Sequence, residues 1–182
     1  MKKRIIYILL FCFCISSSFS QFSGSDNSNW AVGVSLAGAN YSFEDKDLVG
    51  GQFIYQIPRV NISKYIFYGL TLDAGFSMNL FNDVKYTTFD GIARYDFGTT
   101  YDDTVPYVLV GGSIISGLRT TPTLNFGAGN TFWISSRIGI NFQAMYKFSE
   151  EKFESQRSHV YASCGLIYSF GARFSHRRLW NR

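Results

Sequence analysis

Large apolar residues recur at every second position through much of the chain, and the residues between them are small or polar. From 30 to 40, Trp30, Val32, Val34 and Leu36 fall on one face, and Ala31, Gly33, Ser35 and Ala37 on the other. Successive side chains point to opposite faces only in a strand, so this period of two predicts β-structure. The division returns at 69–80, where Leu70, Leu72, Ala74, Phe76, Met78 and Leu80 alternate with Thr71, Asp73, Gly75, Ser77 and Asn79. It returns at 138–148, with Ile140, Phe142, Ala144, Tyr146 and Phe148 against Asn141, Gln143, Met145 and Lys147. At 160–170, Val160, Ala162, Cys164, Leu166, Tyr168 and Phe170 oppose Tyr161, Ser163, Gly165, Ile167 and Ser169. Less regular strands are predicted at 58–66, 89–97, 106–114 and 124–133, which makes about eight.

A soluble sandwich would show the same alternation, with its apolar face buried and its polar face in water. Here the second face is too small for that, since Gly33, Gly75, Gly111, Gly127, Gly129, Gly139 and Gly165 lie on it. Small residues suit the cramped interior of a narrow barrel whose large side chains point out into lipid. Hydrocarbon leaves no unpaired backbone group satisfied, so a sheet that crosses a bilayer must close on itself. Segments of about ten residues match the roughly 9–11 that a tilted strand needs to cross, and an even count lets the ends meet. The expected fold is therefore all-β, an antiparallel transmembrane up-and-down barrel of about eight strands. Its outer loops are predicted at 41–57, 81–88, 115–123 and 149–159, and its periplasmic turns at 67–68, 98–105 and 134–137. Both termini are then expected in the periplasm.

Residues 1–20 are set apart from this pattern. Lys2, Lys3 and Arg4 precede an apolar run from Ile5 to Ile15, followed by Ser16, Ser17, Ser18, Phe19 and Ser20. Charge, apolar core and small-residue exit predict a signal peptide cleaved after Ser20, and the core is too short for a spanning helix. Residues 21–170 form the expected barrel and 171–182 a basic periplasmic tail. Removing Lys2, Lys3 and Arg4 from the 17 basic residues leaves 14 against 13 acidic ones, so nucleic acid is not an implied partner. Cleavage also leaves Cys164 as the sole cysteine, which excludes an internal disulfide and a thiolate metal cluster. Aromatic residues at 18% favour strands.

At the end of the last strand, Ser163-Cys164-Gly165-Leu166-Ile167-Tyr168-Ser169-Phe170 resembles the β-signal of outer-membrane barrels, with Ser163, Gly165, Tyr168 and Phe170 at its defining positions. The runs 106–112 and 138–147 resemble strands of OmpA-type barrels of Bacteroidota, and the resemblance spans nearly all of 30–170. It implies contact with outer-membrane lipid, and with the barrel assembly machinery during insertion. Many members of that family continue into a peptidoglycan-binding domain; this sequence ends twelve residues after Phe170, so no such domain is carried over.

Arg59, Asp73, Asp90, Arg94, Asp96 and Lys147 fall on the predicted lumen face. Mixed signs in a space just wide enough for side chains predict a structural plug, with a regulated conduit as the alternative. Ser158 and His159, near Glu150, Glu151 and Glu154, supply residue types of a hydrolytic triad, but adjacent residues on a strand face opposite ways and no nucleophile motif surrounds the serine. No catalytic residue, cofactor or metal site is therefore assigned. Glu44, Asp45 and Asp47 lack the ligand spacing of a calcium loop. In the tail, Arg173, Arg177, Arg178 and Arg182 stand beside Trp180, a pattern suited to docking on lipid phosphates or on an acidic periplasmic protein. The expected role is structural, anchoring or accessory in the outer membrane; a small-solute pore is the alternative, and a lipid-modifying enzyme a third.

Overall fold

The computed structural model describes residues 29–41, 53–79, 86–98, 102–116, 120–149 and 158–171. The expected signal peptide and all the tail's arginines lie outside these residues. Eight strands follow in order: β1 (Trp30–Asn40), β2 (Phe53–Phe67), β3 (Leu70–Met78), β4 (Thr87–Asp96), β5 (Thr104–Ser116), β6 (Thr120–Trp133), β7 (Ile138–Phe148) and β8 (His159–Ser169). Each pairs with its sequence neighbours, and β8 returns to β1, closing the barrel. The seam is fully antiparallel, from Ala31 opposite Ser169 to Asn40 opposite Val160.

The bounds of β1 and β7 are those predicted, whereas β2, β4, β5, β6 and β8 start earlier than expected. Proline stands near the expected start of three of these. It brings no N–H to a ladder and so marks a strand start in the sequence, yet Pro58, Pro106 and Pro122 all sit within strands. Pro58 falls at an irregularity: Ser35 pairs with Arg59 and Ala37 with Gln56, which leaves Leu36 opposite Ile57 and Pro58. A bulge of this kind absorbs a residue that cannot join the ladder. Pro106 and Pro122 are each third in their strands and face outward. The predicted outer loops 41–57 and 115–123 shrink accordingly. At the other end, Tyr68 (φ 45°) and Gly69 (φ 84°) make a two-residue hairpin between Phe67 and Leu70, one residue later than predicted. Positive φ at both central residues matches the twist of the flanking strands. The turn at 134–137 is as predicted; the Ser135 hydroxyl oxygen accepts the N–H groups of Arg137 (3.3 Å) and Ile138 (3.1 Å).

Packing is inside out relative to a water-soluble sandwich. Val34, Leu36, Val60, Leu72, Val110, Leu124, Phe126, Phe142 and Leu166 are exposed, while Ser63, Thr71, Asp73, Ser77, Thr88, Asp90, Ser113, Asn125 and Lys147 are buried. Aromatic side chains gather on the outer surface toward both ends of the strands. Tyr65, Phe67, Tyr95, Phe97, Phe132, Tyr168 and Phe170 lie toward the short turns, and Phe53, Tyr55, Phe89, Phe126 and Phe148 toward the opposite end. Such girdles mark the two interfaces of a bilayer-spanning barrel. At Gly165 the seam is so tight that a Cβ would strike the Val34 carbonyl oxygen and the backbone of Ser35. Only glycine lets β1 and β8 approach this closely.

Candidate functional site

The interior is filled in layers. Toward the loop end, His159 stacks on Tyr41 at 4.4 Å, and its Nε2 lies 2.7 Å from the Tyr86 hydroxyl, beside buried Ile54 and Ile115. The middle layer is ionic. Asp90 of β4 accepts hydrogen bonds from Arg59 of β2, Lys147 of β7 (2.6 Å), Ser113 of β5 (2.6 Å) and Thr88 (2.8 Å). Its carboxylate and the Lys147 side chain are 0% exposed, and the Arg59 side chain 2%. Arg59 and Lys147 also lie over the Tyr161 ring, 5.3 and 4.4 Å from its centroid, and the Tyr161 hydroxyl is 2.9 Å from that of Ser77. Strands far apart in sequence thus meet on one carboxylate. In a low-dielectric interior each of these charges is tolerated only because it is paired and hydrogen-bonded.

Toward the turn end, Arg94 and Asp96 form an ion pair at 3.1 Å without the alignment of a hydrogen bond, and Arg94 lies 4.8 Å from the Tyr107 ring centroid. Thr71 donates to Asp96 at 2.7 Å, and Asn141 donates to Tyr107 and Thr131, both at 2.9 Å. Asp73 accepts from Ser63 (2.6 Å) and Asn61 (2.9 Å).

All six charged residues expected in the lumen are there, but they do not form one network. Arg59, Asp90 and Lys147 share a cluster, Arg94 and Asp96 make a separate pair, and Asp73 is held by neutral donors. Sequence reasoning placed Tyr161 on the inner face but named neither it nor Tyr107 as part of the plug. Both sit on the inward parity of their strands, which is the signal that finds them. Ser158 and His159 are not brought together. The Ser158 hydroxyl closes the loop base by pairing with the backbone N–H (3.0 Å) and carbonyl (3.3 Å) of Ser149, while His159, expected in a loop, opens β8 and points inward. Among the described residues no group of histidine, cysteine and carboxylate side chains could hold a metal ion.

The residues of the β-signal motif are placed on both faces of β8. Ser163 and Gly165 take the inward positions, whereas Tyr168 and Phe170 point outward with rings 5.5 Å apart, edge to face. Phe170 extends the seam, its N–H donating to the Trp30 carbonyl at 3.0 Å.

The β-barrel domain of OprF from Pseudomonas aeruginosa superimposes with a TM-score of 0.57 at 16% identity, over 78% of this chain and 98% of that one. Closure of eight antiparallel strands is common to both. The fold is that of a small outer-membrane barrel. Neisserial surface protein A matches this barrel with a TM-score of 0.53 at 16% identity, over 78% of this chain and 97% of its own. A de novo designed transmembrane β-barrel gives 0.50 at 15% identity, over 79% and 97%. No protein-family model and no curated protein matches the sequence. The outer wall of the barrel carries an open depression of about 740 Å³, lined by Leu36, Tyr55, Ala128, Phe142, Ala162 and Cys164. A small cavity inside the lumen measures about 10 Å³.

Proposed function

We propose that the chain is a bacterial outer-membrane barrel, with Bacteroidota as the source its strand resemblance suggests, and that it serves as a structural or accessory subunit with a sealed lumen. The observation that carries this reading is the filled interior. Asp90, Arg59, Lys147 and Tyr161 cross the middle, and the cavity beneath them has room for about one water. An eight-stranded barrel is just wide enough for side chains to fill, so a conducting path would require those pairs to part. Residues 29 and 171 lie at the end of the barrel that carries the two-residue turn, which supports a periplasmic location for both termini. Lipid covers the apolar wall, and the barrel assembly machinery engages the Ser163, Gly165, Tyr168 and Phe170 signal on the last strand. Arg173, Arg177, Arg178, Trp180 and Arg182 supply a docking tail for inner-leaflet phosphates or an acidic periplasmic protein.

Protein refolded in planar bilayers is expected to give no conductance steps, and unboiled samples to migrate faster than boiled ones on gels. Reproducible steps at neutral pH would replace the sealed barrel by a small-solute pore. Removing residues 172–182 leaves the β-signal whole and should strip co-purifying phospholipid or protein at physiological salt. If the truncated barrel folds and keeps all of them, the tail has no docking role.

A further inference from the structure

On the outer face of β6 the residues run Phe126, Ala128, Asn130 and Phe132, so Asn130 lies between a ring of each aromatic girdle, at hydrocarbon depth. Its register partners are Pro106 on β5 and Phe142 on β7, and neither side chain can hydrogen-bond. Asn130 Oδ1 is buried and unpaired. An amide is costly in a solvent that offers it no partner.

The same residue lines the open depression of about 740 Å³ on the outer wall. The wall is low there because Ala128, Ala144 and Ala162 are consecutive register partners on β6, β7 and β8. Elsewhere on these strands large side chains meet the lipid, as at Leu124, Phe142 and Leu166. A wall cut back in this way lets another backbone approach closely, and a polar group inside such a contact holds it together.

The amide selects the occupant. Its unmet atom is an acceptor, so the partner must donate. Acyl chains offer nothing, lipid ester carbonyls only accept, and headgroup donors lie beyond the girdles. A second carboxamide satisfies the first completely, each giving an N–H and taking one, whichever way the two amides are turned. Copies of one chain insert with the same orientation, so a two-fold axis along the membrane normal brings each residue to the depth of its own mate. With that axis beside β6, β5 of one copy faces β7 of the other. Exposed Val110 then stands opposite Ala144, each six residues on from the first residue of its strand, Thr104 or Ile138. We infer that the wall at β6 is a docking surface for a second copy of this chain, closed by a reciprocal hydrogen-bonded pair of Asn130 side chains. The inference rests on the outer-membrane reading, because hydrocarbon is what leaves the amide without a partner.

The test uses the whole barrel with its tail, folded in phospholipid vesicles. In a Cys164→Ser background, Ala128→Cys puts a thiol beside the axis, and Gly91→Cys puts one on the outer face of β4, where an added side chain meets nothing within 4 Å. Oxidation with copper phenanthroline is expected to give a covalent dimer from Ala128→Cys and none from Gly91→Cys. Adding Asn130→Leu should weaken the dimer about tenfold, as loss of a reciprocal amide pair inside a bilayer implies, and Asn130→Gln should keep part of it. The unsubstituted chain in density-matched micelles should sediment as two copies per particle. Faster gel migration of unboiled samples shows that each variant is still a barrel, which separates a failure of docking from a failure of the fold. One copy per particle, equal cross-linking at the two thiols, or a dimer indifferent to Asn130→Leu would overturn the inference.

Discussion

Replacing Asp90 with asparagine tests the central layer of the plug most directly. The change keeps shape and volume but removes the charge that Arg59 and Lys147 share, leaving two buried cations, 2% and 0% exposed, without a counterion. Breaking one partner of a buried ion pair costs about 3–5 kcal/mol, because the remaining charge stays desolvated. At about 1.4 kcal/mol per factor of ten, the folding equilibrium should fall roughly a hundred- to a few thousand-fold. Asp73→Asn is the matched control. Asp73 accepts only from Asn61 and Ser63, so no cation is orphaned and the loss should be about 1 kcal/mol or less. Urea titration in lipid vesicles, followed by tryptophan fluorescence and by gel mobility of unboiled samples, gives both values. Equal small losses for the two variants would mean that water screens the lumen charges and that Asp90 does not organise the interior.

Other substitutions address the seam and the last strand. Gly165→Ala should prevent or greatly slow closure, because its Cβ meets the β1 backbone, whereas Gly91→Ala on the outer face meets nothing within 4 Å and should assemble normally; equal yields of folded barrel would refute the steric argument. Phe170→Ser should reduce accumulation in the outer membrane more than Phe174→Ser, since Phe170 packs edge to face on Tyr168 and extends the seam. Matching surface levels would remove Phe170 from the assembly signal.

Alternation alone disclosed which face of each strand meets lipid, because a hydrocarbon solvent imposes a simple demand: large and apolar outward, small or polar inward. That rule assigns Arg59, Asp73, Asp90, Arg94, Asp96 and Lys147 to the inner face, since parity depends only on position within a strand. Partners across the lumen were not legible. Asp90 meets Lys147 because of how β4 and β7 are staggered around the closed sheet, a property of the whole barrel and not of either segment. The inward tyrosines were hidden for another reason: in a chain this rich in Tyr and Phe, aromaticity points to the interfaces, and only their parity separates Tyr107 and Tyr161 from the girdles. The expected starts at Pro58, Pro106 and Leu124 fall too late, because a bulge at Pro58 and outward positions for Pro106 and Pro122 accommodate the missing N–H within the strand.

The pairing of β1 with β8 has a consequence for how the chain reaches this state. Every other ladder joins strands adjacent in sequence, so hairpins can form as their second strand appears. β1 instead has one edge waiting for residues 159–169, and no closed intermediate exists until they arrive. The entropic cost of that ring grows only slowly with its length, but open edges and apolar faces stay exposed until the whole barrel has been made. Closure of the sheet therefore waits on the last strand to arrive, whatever the stability of the first.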